Sequence, residues 1–394
     1  MTGISRSPEM PAAAPVAETN LRSLALYFLK LGAVGFGGPI ALAERMYREL
    51  VEGRNWFSHS EYTEGLSFSQ LAPGPLAAQL AMYLGWLRGG AAGATLAGAA
   101  FILPSFAMVV ALAVSYQRLG QADWIQAVFY GAGAAVTAII VRSAGKLLRV
   151  TLKRDPVLWT IAAAMAATTA WTGMEIVWLF VLCGVGNVLI RARAFCKRIA
   201  GNGLCAASAW PLAVAAGPAT PAVTLFLFFL KAGAFVFGSG LAIVPFLYGG
   251  VVREFHWLTE REFLDAVAVA MITPGPVVIA AGFIGYLVAG FLGATLACAG
   301  VFAPPWLLVI VGAPLYRRFA ENPQVRAFVQ GVTSAAVGAI AGAAFILGKR
   351  AIVDWPTLVI AGVSLALLLG RRKVPDPAVI LAAGVVGLLI WKGH

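Results

Sequence analysis

Long uncharged apolar stretches, cut by short charged or Gly/Pro-rich interruptions, dominate the pattern along the chain. Gly89–Gln117, Ile199–Leu230 and Ala266–Tyr316 contain no Asp, Glu, Lys, Arg or His over 29, 32 and 51 residues, whereas a helix needs roughly 20 apolar residues to cross a bilayer. Several helices therefore cross. The interruptions divide the chain into apolar segments at about 21–50, 59–88, 92–117, 124–148, 156–173 and 175–190, and again at 222–251, 260–290, 292–316, 324–348, 353–370 and 375–391. This predicts an all-α polytopic membrane protein.

The two sets of six are copies of each other. Phe28–Ala41 returns as Phe229–Ala242, an offset of 201 that persists through Trp56/Trp257, Glu61/Glu262, Glu64/Asp265 and the triplets Pro73–Pro75 and Pro274–Pro276. The offset then becomes 200 for Thr95/Thr295, Pro104/Pro304, Tyr116/Tyr316 and Gly131/Gly331. One register over so long a stretch is an internal repeat. The expected organisation is a Pro/Ala-rich cytoplasmic tail at 1–20, a first repeat at 21–198, a Gly/Ala/Pro-rich linker at 199–221 and a second repeat at 222–394.

The first two segments of each half are broken near their middles, by Gly35–Pro39 and Pro73–Pro75 and by Gly238–Gly240 and Pro274–Pro276. Proline lacks the N–H, clashes with the preceding turn and pushes the residue before it out of the helical region. Pro-Gly-Pro should therefore break a helix, leaving half-helices arranged as re-entrant hairpins or as broken spans. Lys and Arg alternate between the halves in the inverted sense: Arg88 faces Ala289, Arg118 faces Arg317, Arg318 and Arg326, and the cluster Arg142–Arg154 faces only Lys349 and Arg350. Inversion in turn requires the linker 199–221 to cross, with the N-terminus inside and the C-terminus outside.

Composition agrees and narrows the function. Hydrophobic residues make up 60% and charged residues 12%, against about 45–50% and 25% in soluble domains. The net charge of +12 sits largely in short interhelical clusters, which is topology rather than a nucleic-acid surface. The four cysteines form neither a metal pattern nor a disulfide framework. The chain has no HExxH, no GxSxG with a histidine partner and no Walker loop. No catalytic residue, metal or cofactor is expected, and an ion gradient must supply any driving force.

Unpaired backbone at membrane depth persists only around protein or a polar cavity, and paired breaks in inverted halves mark the substrate site of many secondary transporters. Half-helices starting after Pro75, Pro276, Pro39 and Gly240 would present amide N–H groups and a positive dipole end, which suits an anion. Lys30 and Lys231 lie at matching places before the first break of each half and either offset the anion's charge or reach to the headgroups. Ser69, Gln70, Thr273 and Ser239, with Ser67 and Gln79, either donate to oxyanion oxygens or pack helices. Glu61, Glu64, Glu262 and Asp265 share helix faces at i, i+3 spacing. They either couple protons or form interfacial caps and salt bridges to Arg45, Arg48, Arg253 or Arg261. Trp56 and Trp257 fit interface anchors.

Phe36-Gly37-Gly38-Pro39, the following Glu44 and Arg45, Pro73-Gly74-Pro75 and the second copy Phe237-Gly238-Ser239-Gly240 with Pro274-Gly275-Pro276 resemble the bidomain members of the chromate ion transporter family. The resemblance covers nearly all of 21–392. It implies a bacterial inner-membrane protein that exports chromate from the cytoplasm and confers chromate resistance. It also carries substrate-binding roles to Gly35–Pro39 and Pro73–Pro75. The second copy departs at Ser239, Gly240 and Met271, in place of Gly38, Pro39 and Gln70, so the halves need not contribute equally. Chromate and sulfate are nearly isosteric dianions that nothing in the sequence separates. The expectation is alternating access around one oxyanion, in the lipid bilayer, with Gly-rich faces that leave room for a homodimer. A sulfate or other oxyanion transporter, or a passive anion channel, is the alternative.

Overall fold

The computed structural model describes residues 20–36, 38–119, 122–172, 177–196, 221–234, 236, 240, 243–319, 322–370 and 374–391. The tail, nearly all of the linker 199–221, and Gly37, Gly238 and Ser239 lie outside the described residues. The first half contains α1 (Leu21–Val34), α2 (Gly38–Met46), α3 (His59–Leu71), α4 (Leu76–Leu119), α5 (Asp123–Leu152), α6 (Pro156–Thr172) and α7 (Val177–Cys196). The second contains α8 (Pro221–Ala234), α9 (Ile243–Leu247), α10 (Glu260–Ile272), α11 (Ala280–Leu307), α12 (Ala313–Phe319), α13 (Pro323–Ala351), α14 (Trp355–Leu369) and α15 (Asp376–Ile390). Wide π turns extend α2 through Tyr47–Gly53 and α9 through Tyr248–Glu254. Among the described residues, four stretches are long and apolar enough to cross a bilayer alone: Leu76–Leu119, Asp123–Leu152, Val277–Tyr316 and Pro323–Lys349.

The interrupted segments are re-entrant hairpins. Glu61, at the start of α3, receives Arg88 Nη1 at 2.9 Å and Nη2 at 3.2 Å, and Arg88 sits just before the bend in α4. Arg88 Nη2 also donates to the Trp56 carbonyl at 2.6 Å, closing the base of the hairpin. Phe68 and Tyr83, at similar distances from the triplet, stack at 5.6 Å. The two arms are therefore antiparallel with Pro73–Pro75 at the tip. Thirteen residues in α3 reach about 20 Å, short of the roughly 30 Å hydrocarbon core, so the tip ends inside the membrane. α1 and α2 pair the same way: Arg54, at the end of the returning arm, lies 5.3 Å over the Tyr27 ring. At Gly89 and Gly90 (φ +56°) α4 bends sharply and continues as a spanning helix; α11 repeats this at Ala289 and Gly290 (φ +62°). Matching capping boxes, Ser58 with Glu61 and Thr259 with Glu262, start α3 and α10.

Equivalent helices of the two halves run antiparallel. Across α4 and α11, Trp306 Nε1 donates to Thr95 Oγ1 at 2.9 Å, while Phe106 meets the ring of Phe291 at 6.2 Å. Across α5 and α13–α14, Tyr130, early in α5, donates to Asp354 just after the end of α13. The halves are thus related by a pseudo-twofold axis in the membrane plane, and the repeat is inverted.

Small residues set the helix spacing, as they do where lipid supplies no hydrophobic drive for association. A Cβ on Gly131 of α5 would lie 1.9 Å from the Ala383 carbonyl of α15, and one on Gly331 of α13 would lie 2.6 Å from the Cys183 carbonyl of α7. Gly131→Leu should separate α5 from α15 and cost about 1–3 kcal/mol of overpacking. A thermal unfolding midpoint in detergent several degrees lower would show it; an unchanged midpoint would contradict this packing.

Candidate functional site

The four hairpin tips meet in pairs across the pseudo-twofold axis. Gly275, in the middle of Pro274–Pro276, donates its amide to the Gly35 carbonyl at 2.9 Å, and Gly74 donates to the Val236 carbonyl at 2.5 Å. Gly35 and Val236 are themselves equivalent at the 201 offset. Each Pro-Gly-Pro tip is therefore tied to the first break of the opposite half by backbone alone. Only glycine fits. Gly74 has φ +145° and Gly275 φ +105°, in a region L side chains avoid. A Cβ on Gly74 would lie 2.5 Å from Gln79 Cδ and 2.7 Å from Pro305 Cβ, and one on Gly275 would lie 2.0 Å from Ser105 Oγ. Ser105 also donates to the Gly32 carbonyl at 3.2 Å.

The tip amides of Gly74 and Gly275 are thus spent on structure. The first-turn amides of α4, on Leu76, Ala77 and Ala78, have no carbonyl within their own helix to bond. In the second half a 3-10 turn, Val277–Ile279, begins this arm instead. Gln79 is fully buried; its Nε2 donates to the Pro73 carbonyl at 2.8 Å, while its Oε1 meets no donor among the described residues. The second half has Ala280 there. This acceptor can take a hydrogen bond from water or from the hydroxyl of a singly protonated oxyanion.

The other candidate residues separate. Gly38 (φ +78°) and Pro39 open α2, Phe36 is exposed beside them, and Gly240 packs against Val277. Ser69 and Thr273 are buried but donate to carbonyls of their own helices, Gly65 at 2.8 Å and Val269 at 2.7 Å, so their hydroxyls face the backbone. Gln70 is exposed. Lys30 and Lys231 do not reach the tips. Lys30 lines a groove outside α1, and Lys231 Nζ lies 5.7 Å over the Phe246 ring.

The acidic set also divides. Glu61 and Glu262 are caps, and Glu61 pairs with Arg88 rather than with the arginines expected from sequence. Arg45 pairs with Glu49 at 2.8 Å, while Glu44 is exposed. Glu64 is half-buried on α3. Asp265 departs furthest from the expectation of an interfacial residue: only 4% exposed, it accepts from Tyr116 Oη of the other half at 2.7 Å. No motif or spacing marks Tyr116, Ser105 or the clamp Arg88 as part of the site, and Val236 is marked only as the 201-offset equivalent of Gly35. The repeat offset pairs Tyr116 with Tyr316 but does not say that either reaches the opposite half's hairpin.

This architecture defines an integral membrane protein of two inverted repeats whose re-entrant hairpins meet tip to tip. The family model described as "Chromate transporter" matches residues 22–188 and 223–388. A chromate transport protein of Cupriavidus metallidurans is 51% identical over 377 residues, covering 94% of both chains. A probable chromate transport protein of Synechococcus elongatus is 50% identical over 378 residues, covering 95% of this chain and 96% of its own. A chromate transport protein of Pseudomonas aeruginosa is 33% identical over 389 residues, covering 93% and 92%. No solved structure matches the chain. The chain belongs to the chromate transporter family.

Proposed function

We propose that the protein is a secondary transporter that moves chromate by alternating access through the point where the four hairpin tips meet. The observation that carries this reading is the reciprocal pair of bonds from Gly275 to Gly35 and from Gly74 to Val236. They bring four helix interruptions around one region at membrane depth, the arrangement on which oxyanion sites and rocking motions are built. First-turn amides hold the tetrahedral dianion, and the two halves tilt about the tips. The family supplies the choice of chromate; sulfate, of the same shape and charge, is the natural competitor. The names of the relatives and the anion-binding chemistry of the tips both favour transport over catalysis.

The face that holds the bases of the first-half hairpins also carries Arg149 in the last turn of α5, Lys153 and Arg154 just after it, and Arg191 near the end of α7. By the positive-inside rule this face is cytoplasmic, with the N-terminus inside, the C-terminus outside and a bacterial inner membrane around the chain. Four spans follow two hairpins in each half, so each half returns to the face it left. The repeats 21–198 and 222–394 can then be inverted only if 199–221 crosses. Export from the cytoplasm is the direction that yields resistance.

Asp265 is the coupling group in this reading. A carboxylate in so dry a place marks a proton pathway more often than a structural ion pair. Around it stand Tyr116 of α4 and, on its own helix, Arg261 and Glu262; Arg261 also reaches the Gln126 carbonyl of α5 at 3.4 Å.

Radiolabelled chromate and sulfate flux in proteoliposomes, under imposed pH or sodium gradients, tests the reading. Gradient-driven accumulation of chromate is expected, and flux that ignores both gradients would mean a passive channel. Lys30→Ala should lower flux at limiting substrate about tenfold, and Lys231→Ala less than about twofold, because Lys30 shares a groove with Arg45, Arg48 and Arg54 whereas Lys231 lies over the Phe246 ring. Equal losses would return both lysines to one shared role.

A further inference from the structure

The two halves treat the outer groove of their first hairpin in opposite ways. In the first half a cavity of about 710 Å³ opens between α1 and the returning arm, lined by Lys30, Arg45, Arg48 and Arg54, with Tyr27 and Glu49. Four cations face one carboxylate, and that carboxylate is 2.8 Å from Arg45. Arg54 lies 4.6 Å over the Trp56 ring, which holds its guanidinium at the wall of the groove. Lys30 is about 13 Å along α1 from the helix start. At that depth an ammonium without water or an anion costs about 2.5–3.5 kcal/mol, so the groove is wet and favours negative charge.

At the 201 offset the second half replaces Arg45 by Phe246, Arg48 by Gly249, Glu49 by Gly250, Arg54 by Phe255 and Tyr27 by Phe228. These residues close the groove. The Phe228 ring lies 5.5 Å from Phe246, 5.7 Å from Phe255 and 5.5 Å from Trp257, and Phe255 stacks on Trp257 at 4.5 Å. A Cβ on Gly250 would come within 2.0 Å of the Phe228 ring, so the aromatic fill reaches the backbone. Because the repeat is inverted, the charged groove and the aromatic plug lie on opposite faces of the membrane. Arg253 and Lys349 line a separate cavity of about 550 Å³ on the plugged face, beside Trp171 and Phe345 rather than in the hairpin groove.

We infer that the first-half groove is a loading vestibule that captures a free tetrahedral oxyanion on one face of the membrane, and that the opposite face has no equivalent. The inference rests on the oxyanion-transport reading above and adds a one-sided route to the tips: Arg48 and Arg54 draw the dianion in, and Lys30 passes it toward the break at Gly35. The same cations could instead hold a phospholipid headgroup phosphate, so the bilayer composition must be varied.

The test is initial sulfate and chromate flux into proteoliposomes of known orientation, started from each face in turn, in phosphatidylcholine and again with added anionic lipid. In the double variant Arg48→Gln/Arg54→Gln, KM from the first-half face should rise about five- to tenfold at low ionic strength. KM from the other face should hold, Arg48→Lys should retain most of the wild-type value, and Arg253→Gln should leave the first-face KM unmoved. Wild-type KM at that face should also climb with salt, and the double variant should lose that climb. Equal KM values at both faces, or a fall in Vmax at both faces with KM unchanged, would overturn the vestibule. A shift that appears only with anionic lipid would make the occupant a headgroup and overturn it equally. If the wild-type protein carried no oxyanion at all, the transport reading would fail. Salt-sensitive binding of radiolabelled sulfate to the solubilised protein, weakened in the double variant, would then decide the groove by itself.

Discussion

Gly275→Ala is expected to cut chromate flux at least about tenfold and Gly74→Ala to do nearly the same, with both proteins still inserted in the membrane. Each substitution forces an alanine into a backbone region that costs about 1–3 kcal/mol, and each drives a methyl group into a neighbour that cannot retreat without opening the tip. At Gly275 that neighbour is Ser105 Oγ, 2.0 Å from the added carbon; at Gly74 it is Pro305, 2.7 Å away, with Gln79. The two contacts are equivalent, since Ser105 and Pro305 differ by the 200 offset. A second change separates clash from backbone strain. Adding Ser105→Gly to Gly275→Ala removes the collision but not the positive φ, so flux should recover only in part. Wild-type flux in Gly275→Ala would mean that the tips need not meet for transport.

Asp265→Asn should uncouple the protein without inactivating it. The amide oxygen can still accept from Tyr116, so the link between the halves survives, but the side chain no longer exchanges a proton. Accumulation driven by a pH gradient should fall at least about tenfold, while exchange of labelled for unlabelled chromate across the membrane continues, because exchange needs no net proton movement. Asp265→Ala differs: it leaves the Tyr116 hydroxyl without its acceptor at a cost of about 1–3 kcal/mol and should lower the thermal midpoint as well. If Asp265→Asn were still driven by a pH gradient, the coupling group would lie elsewhere.

The fold was largely legible because its main features are local or repeated. Proline and glycine placed the four breaks, the offset of 201 paired them, and the Ser58/Glu61 and Thr259/Glu262 caps sit where the acidic i, i+3 pairs begin. The alternating Lys/Arg bias anticipated the inversion that the Trp306–Thr95 and Tyr130–Asp354 contacts display. Whether a broken segment turns back or continues was not legible. That depends on Glu61 finding Arg88, 27 residues away, and no spacing rule connects them. The acidic residues were read by their position near segment starts. Asp265 is only in the second turn of α10 yet is buried, because α4 of the opposite half covers it with Tyr116. The contrast between groove and plug was written in the aligned repeats, as Arg45 against Phe246 and Arg54 against Phe255, but only folding shows that these positions line one wall.

The bonds at the hairpin tips also fix when the site can come into being. Gly74 waits for Val236, and Gly35 waits for Gly275, so each bond joins residues that leave the ribosome far apart in time. Contacts of such long sequence separation form late. While only the first half has been synthesised, its tips face no partner and no continuous path for an ion has been assembled. In the transport reading, the dangerous part of the molecule, a polar gap through the hydrocarbon layer, is thereby postponed until the last hairpin has been inserted and can seal it.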